Sequence, residues 1–272
     1  MKKIIPVIVA LVLILIIGGV GIGGMLLEKY SYSKETADLT EYYGVTGDRL
    51  AIVLQDEIVP EQAVRRGGIC YFDLDTVHTY FNEGFYVDTT EQLLLYTTAV
   101  DTYRAGIGGS SWQNGAEAKD LGYVICFIEG ETVYVAADYV KMFTNYSYEV
   151  FNDLCIQVYT EWGTKELAEV TKGTQVRTLG GIKSPILRQI EKGETVEILE
   201  QMETWSKVKT SDSIIGYIEN KRLSEITAET ETPVTDYVPE EYTSLPMEGK
   251  VSLGWHAIGG LGGNDTLGAM VA

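Results

Sequence analysis

Three carboxylates lie close together in the first third of the chain: Asp73, Asp75 and Glu83. Paired carboxylates of this kind carry out acid–base and nucleophilic steps in glycoside hydrolysis. An internal repeat argues against that use, because Asp75 recurs as Asp138 whereas the counterpart of Asp73 is Ala136. We therefore predict a local cap or turn role for the shared aspartate. No catalytic residue is assigned in this chain.

Metal and cofactor chemistry is not indicated either. Cys70, Cys126 and Cys155 are scattered without metal-ligand spacing, and we predict that they are buried small hydrophobic residues. A disulfide between two of them is the alternative if the chain folds outside the cell. His78 matches Lys141 in the repeat, which predicts a solvated helix face and no metal site. We expect no cofactor.

Nucleotide and nucleic-acid binding are disfavoured. The glycines of residues 259–263 follow a strand-like run, but the third glycine of a dinucleotide fingerprint would fall on Asp265. The formal net charge of −18 opposes attraction to nucleic acid or to an anionic membrane surface.

Trp205 and Tyr217 are the candidates for an aromatic platform that contacts carbohydrate. They lie in residues 165–224, where short strand-like runs are separated by turns. In one run Trp205, Lys207 and Lys209 alternate with smaller residues, which predicts a half-exposed strand of a small barrel. The alternative is that both aromatic residues belong to the core of that barrel.

Residues 165–224 resemble a bacterial SH3-like domain. The resemblance rests on Val176-Arg177, Ser184-Pro185-Ile186-Leu187, Lys192-Gly193-Glu194-x-Val196, Trp205-x-Lys207-Val208 and Gly216-Tyr217-Ile218. It implies either binding to cell-wall material or a spacer that packs on its neighbours.

A second pattern is a repeat without gaps between residues 71–97 and residues 134–160. The identical pairs are Tyr71/Tyr134, Asp75/Asp138, Val77/Val140, Asn82/Asn145, Val87/Val150, Tyr96/Tyr159 and Thr97/Thr160. Such self-similarity predicts two copies of one unit. Each copy reads as a strand, a short helix ended by a left-handed Asn82 or Asn145, and two further strands. We expect both copies to pack as one domain with Tyr71, Tyr134, Val77 and Val140 buried.

The first copy also resembles the copper amine oxidase N-terminal-like domain of bacterial surface proteins. The resemblance rests on Tyr71-Phe72-Asp73-Leu74-Asp75-Thr76-Val77, Phe85-Tyr86-Val87-Asp88 and Leu93-Leu94-Leu95-Tyr96. It covers about residues 49–160 and implies no copper site, because those domains lack one.

The N-terminus reads as a membrane anchor. Lys2 and Lys3 precede an uncharged run from Ile4 to Leu27, which is long enough to cross a bilayer and longer than the apolar part of a cleaved signal peptide. We predict an uncleaved signal anchor over 1–27, a juxtamembrane linker over 28–48, and everything beyond outside the cytoplasm.

The C-terminal part reads as an acidic Pro/Thr linker over 225–249, followed by a strand, a loop and a helix start over 250–272. In this domain order, residues 250–272 resemble the first β/α unit of a family-18 glycoside hydrolase barrel, which would be incomplete here. That resemblance places Trp255 and His256 at a sugar site. The family's acidic D-x-x-D-x-D-x-E motif does not occur in the chain.

Together these patterns predict a mainly β protein with short helices: a transmembrane helix, an α+β two-repeat domain, a small SH3-like barrel and the start of a β/α barrel. The resemblances imply a single-pass, membrane-anchored surface part of a glycoside hydrolase that acts on N-acetylglucosamine-containing polymers such as chitin or peptidoglycan. Its partners would be that polysaccharide and, through residues 4–27, the lipid bilayer. The alternative is a non-catalytic cell-wall-binding protein.

Overall fold

A computed structural model describes residues 28–230. This part of the chain is mainly β, with three short α-helices, and its strands form three sheets. No helix within residues 28–230 is long and apolar enough to cross a membrane. The predicted anchor (4–27), most of the acidic linker (231–249) and residues 250–272 lie outside the described residues.

The first domain (residues 49–159) contains twelve strands and two helices. They are β1 Arg49–Leu54, β2 Glu57–Arg66, β3 Ile69–Asp73, α2 Leu74–Tyr80, β4 Phe85–Asp88, β5 Leu93–Thr97, β6 Thr102–Gly106, β7 Ser111–Asn114, β8 Glu117–Asp120, β9 Cys126–Glu129, β10 Thr132–Ala136, α3 Ala137–Lys141, β11 Ser147–Phe151 and β12 Cys155–Tyr159. A short helix, α1 (Leu39–Tyr43), precedes them.

The repeat is present in the secondary structure: β3, α2, β4 and β5 of the first copy correspond to β10, α3, β11 and β12 of the second. β3 and β10 pair antiparallel within a seven-stranded sheet with the order β11-β12-β1-β2-β3-β10-β9. The two hairpins differ. β11–β12 joins that sheet beside β1, whereas β4–β5 starts a separate sheet, β4-β5-β6-β7-β8. The segment between the two copies forms β6, β7 and β8. Because β6 pairs with β5, the first hairpin belongs to this separate sheet.

One core holds both copies together. Tyr71, Tyr134, Val77 and Val140 are all buried in it, which confirms the prediction from the repeat. Aromatic rings of the two copies also meet directly, as where Phe81 stacks on Tyr146 with centroids 4.8 Å apart. Such ring pairs add to the stabilisation that burial provides.

Three local predictions in the repeat were wrong. The side chain that caps α2 is Asp73, whose Oδ1 accepts from the Thr76 amide at 2.6 Å, whereas Asp138 accepts from the Tyr148 hydroxyl. The backbone of Asn82 does not have the left-handed conformation. Its side-chain Oδ1 accepts a hydrogen bond from the Gly84 amide because the chain turns there. His78 is half-buried rather than solvated, with Nε2 2.6 Å from the Phe85 carbonyl oxygen. These contacts come from the fold around each copy, which the repeat alone does not reveal.

The three cysteines are buried and unpaired, as predicted. Burial raises the pKa of the Cys126 thiol to about 12 and that of the Cys155 thiol to about 11. They therefore act as small apolar residues of the core.

The second domain (residues 164–230) contains seven strands and one 3₁₀-helix. They are β13 Thr164–Glu169, β14 Thr174–Arg177, β15 Ile186–Ile190, β16 Thr195–Gln201, β17 Trp205–Lys209, β18 Ile215–Glu219, the 3₁₀-helix Asn220–Arg222 and β19 Thr227–Thr230. The strands predicted within 165–224, including those at Thr195–Leu199 and Trp205–Lys209, are confirmed. Val176, Ile190, Val208 and Ile218 lie in a separate core.

The predicted barrel is not closed in the described residues. The strand order is β15-β14-β18-β17-β16-β13-β19, so β15 and β13 do not pair with each other. Both edges that would close the barrel pair with other segments: β19 pairs antiparallel with β13, and Thr36 forms a parallel bridge with Ile186 of β15. The hydrogen-bonding groups of those edges are therefore already partly used.

Residues predicted as a juxtamembrane linker pack on the second domain. The N-terminal arm (residues 31–37) lies along β15: the Ala37 amide donates to the Ile186 carbonyl, and the Ile186 amide donates to the Glu35 carbonyl, both at 2.8 Å. Within α1, the Tyr43 hydroxyl donates to the Ser213 carbonyl at 3.0 Å. Tyr43 shares a small core with Ile215 and with residues of β1, so α1 joins the two domains.

Candidate binding site

The outer face of the β17–β18 hairpin carries the candidate site. In register, Trp205 lies opposite Glu219, and Lys207 lies opposite Tyr217. The intervening residues Ser206, Val208 and Ile218 are buried, so Trp205 and Glu219 point away from the core. The predicted alternation is confirmed for Trp205 and Lys207, which are half-buried, whereas Lys209 is buried.

A small pocket of about 210 Å³ opens beside Trp205. Its lining comes from the second domain and from the N-terminal arm: Tyr32, Gly173, Thr174, Gln175, Arg177, Trp205, Glu219 and Arg222. This volume is below the roughly 300–1,000 Å³ of pockets for drug-sized ligands. It suits one amino-acid residue or another group of that size.

Glu219 is the central polar group of the pocket, and it is only 6% exposed. Its Oε1 accepts from the Tyr32 hydroxyl and from Nζ of Lys221, each at 2.8 Å. Burial alone would raise the pKa of Glu219, but these two hydrogen bonds and the charges of Lys221 and Arg222 hold it below its usual value. Glu219 is therefore an ionised acceptor.

Two buried polar atoms in the pocket have no hydrogen-bond partner within residues 28–230. They are Oε2 of Glu219 and Nε of Arg222, which form an ion pair across 3.8 Å, too far apart for a hydrogen bond. Buried polar groups are nearly always satisfied, so each unsatisfied one calls for an explanation. One acceptor and one donor at this separation match a ligand that carries an N–H group beside an oxygen.

Arg177 forms the floor of the pocket and is 1% exposed. Its guanidinium donates to the Ser33 carbonyl at 3.0 Å, to the Ser184 carbonyl at 2.5 Å and to the side chain of Gln175. Burial lowers the pKa of Arg177. These bonds fix the N-terminal arm over the pocket, and the Tyr32 ring lies 5.6 Å from the guanidinium carbon.

Of the predicted carbohydrate contacts, Trp205 lines this pocket and Tyr217 does not. Both are half-buried beside the loop at Gly180, where an added Cβ would lie 3.3 Å from Trp205 and 3.6 Å from Tyr217. Their role in carbohydrate binding stays a prediction. Trp255 and His256 lie outside the described residues.

Sequence reasoning missed Tyr32, Glu219 and Arg222. A signal for Glu219 existed, because it lies two residues after Tyr217 on the same outward face of a strand. Tyr32 gave none, since only the fold brings residues so distant in sequence together. Within residues 28–230, no group of three or more His, Cys, Asp or Glu side chains is placed to hold a metal ion.

Comparison with known proteins identifies the domain that carries most of this pocket. The family model of the bacterial SH3 domain matches residues 172–224, which cover the strands β14 to β18 and every pocket residue except Tyr32. No match was found among curated proteins or among solved structures. Nothing in these comparisons supports a family-18 glycoside hydrolase or a copper amine oxidase N-terminal-like domain. Bacterial SH3 domains are typical of cell-wall-binding modules, and residues 172–224 form such an SH3-like domain.

Proposed function

We propose that this chain is a bacterial surface protein that binds cell-wall peptidoglycan through the pocket beside Trp205. The observation that carries the proposal is the ion pair of Oε2 of Glu219 with Nε of Arg222, in which neither atom has a hydrogen bond, next to a half-buried tryptophan. The match of residues 172–224 to the bacterial SH3 domain supports the same function.

The chemistry of the pocket favours the peptide part of peptidoglycan. A peptide or amino-acid unit presents an N–H or ammonium group to the Glu219 carboxylate and a carbonyl or carboxylate oxygen to Arg222. Trp205 and Tyr32 would contact its aliphatic part. The volume of about 210 Å³ also fits one such unit better than a chain of sugars.

Membrane anchoring is part of the proposal and rests on the uncharged run from Ile4 to Leu27. In that arrangement the N-terminal arm, which follows the anchor and packs on β15, would hold the second domain close to the membrane surface. The bulk of the chain would then lie outside the cytoplasm, where the wall is.

The finer proposal, that this chain is the surface part of a family-18 glycoside hydrolase, rests by contrast on the resemblance of residues 250–272 alone. We therefore place wall binding first and keep the hydrolase as the finer proposal. The test compares sugar release from purified wall by this chain and by a chain that extends through such a barrel. The hydrolase proposal expects release by the extended chain only.

The proposed function is tested by co-sedimentation of the full chain with purified peptidoglycan sacculi. In the variant Glu219→Gln the carboxylate charge is removed while one acceptor oxygen remains, so we expect binding to weaken by about tenfold. Glu203→Gln is the matched control, since Glu203 is exposed in the turn before β17. Equal binding by Glu219→Gln and Glu203→Gln, with both variants folded, would refute the assignment of the pocket.

A further inference from the structure

A second, larger groove lies between the two domains. Its volume is about 680 Å³, within the range of small-molecule sites. One wall comes from β11 and β12 of the first domain, and the other comes from β13, β16, β17 and β19 of the second domain. The groove therefore exists only where the two domains are joined.

At the base of the groove, Gln157 carries an unsatisfied acceptor. The residue is 2% exposed, and its Oε1 has no hydrogen-bond partner in the described part of the chain. Its Nε2 donates to Oδ1 of Asp56 at 3.4 Å, so the amide oxygen is the end left unsatisfied. A buried acceptor in this state is destabilising. A ligand hydroxyl or N–H group would supply the missing hydrogen bond.

The positive charges of the groove are already paired. Nζ of Lys209 lies 2.5 Å from Oε2 of Glu197 and 2.5 Å from Oδ1 of Asp56, and Nζ of Lys165 lies 3.6 Å from Oε2 of Glu197. Both ammonium groups also lie within 5.0 Å of the Tyr159 ring centroid. A ligand anion would have to compete with these partners for either lysine.

The remaining charges of the lining are negative. Glu149 and Glu229 are exposed, one on each wall. Their carboxylates repel anionic polymers and accept hydrogen bonds from hydroxyl or amino groups. Trp162, in the connection between the domains, is half-buried and adds an apolar ring to the lining.

We propose that this groove binds an uncharged or cationic oligosaccharide. Sugar hydroxyl and amino groups would donate to Gln157, Glu149 and Glu229, while the apolar face of a sugar ring would pack on Trp162. This site is separate from the pocket beside Trp205, and the inference does not rest on the proposed function of that pocket.

The test is a calorimetric titration of the full chain with three tetrasaccharides that differ in charge. We expect binding of the uncharged glucose tetramer and of the cationic glucosamine tetramer, and at least tenfold weaker binding of the anionic galacturonate tetramer. No binding of the first two at millimolar concentration, or a preference for the anionic tetramer, would overturn the proposal.

Two variants locate the site. Gln157→Met retains the size of the side chain and removes the unsatisfied oxygen, so we expect about tenfold weaker sugar binding together with an unchanged or higher Tm. Trp162→Ala should also weaken sugar binding by about tenfold. Tyr86→Ala is the aromatic control, because Tyr86 is exposed on β4 and lines neither the groove nor the pocket, and it should leave sugar affinity unchanged. Sugar affinity that is unaffected by both groove variants, or lost in Tyr86→Ala, would contradict this location.

Discussion

The ammonium group of Lys209 lies 2.5 Å from Oδ1 of Asp56 and joins the second domain to the first. Asp56 stands in the two-residue turn between β1 and β2, where both Gln55 and Asp56 have positive φ. The neighbouring Gln55 side chain donates to the Glu161 carbonyl at 3.1 Å and accepts from the Thr160 amide at 2.8 Å. This turn of the first domain therefore makes two sets of contacts. Gln55 binds the connection between the domains, and Asp56 binds Lys209 of β17 in the second domain.

Removing this lysine should destabilise the protein. In Lys209→Ala, the carboxylates of Asp56 and Glu197 would lose their shared partner while remaining largely buried. We expect the free energy of unfolding to fall by about 3 kcal/mol, the lower end for a broken buried ion pair. Lys207→Ala, two residues earlier on the same face, should change it by less than about 0.5 kcal/mol. Equal effects of the two changes in denaturant unfolding would show that the pair is not buried in solution.

Gly216 should be intolerant of a side chain. An added Cβ would lie 2.5 Å from Cγ1 of Val176 and 2.7 Å from the carbonyl oxygen of Arg177, so β14 and β18 could not keep their spacing. Gly216→Ala should cost about 1–3 kcal/mol of stability through overpacking. Gly163→Ala is the control, because an added Cβ there meets nothing within 4 Å. A melting temperature of Gly216→Ala equal to that of the control would contradict the close packing of these strands.

All three cysteines should resist thiol reagents in the folded state. Cys70, Cys126 and Cys155 are each at most 2% exposed, and burial raises the pKa of each thiol. At pH 8 little thiolate exists and no reagent reaches it. We expect a chromogenic disulfide reagent to detect no thiol in the native chain and three after denaturation without reductant. Detection of a single thiol in the denatured chain would instead support a disulfide between the other two.

Alkaline pH should unfold the protein cooperatively. Burial raises the pKa of Tyr43, Tyr139 and Tyr146 well above its usual value of about 10. Their contribution to stability is therefore complete below about pH 10 and is lost as pH rises above it, because only the unfolded chain ionises there. Tyrosinate absorbance should rise in two stages, the second together with loss of circular dichroism. Ionisation of every tyrosine near pH 10 with a native spectrum would contradict the burial.

Sequence patterns predicted much of the secondary structure, because hydrophobic alternation and turn residues act locally. The strands at 85–88, 93–97 and 205–209 and the burial of Tyr71 and Tyr134 follow from them. The open sheet of the second domain could not be predicted from such local patterns, because the strands that would close the barrel pair instead with Thr36 and with β19. Such pairings depend on the tertiary fold rather than on the residues of the strand itself.

The candidate sites were predictable only in part, for a similar reason. Trp205 is a half-buried aromatic residue on an alternating strand, and it could be named from the sequence. Tyr32 and Gln157 could not, because each gains its role from a neighbour far away in the chain. The Tyr32 hydroxyl donates to Glu219, and Gln157 donates to Asp56 across the parallel pairing of β1 with β12.

Binding of the full chain to purified peptidoglycan sacculi, compared with that of Trp205→Ala, tests wall binding through the second domain most directly. Trp205 is a half-buried wall of the pocket, so its truncation should weaken binding by about tenfold or more while the protein stays folded. Tyr86→Ala is the control, because Tyr86 is an exposed aromatic on β4 of the first domain, and it should bind like the wild type. A folded Trp205→Ala variant that binds sacculi as tightly as the wild type would contradict the proposed function.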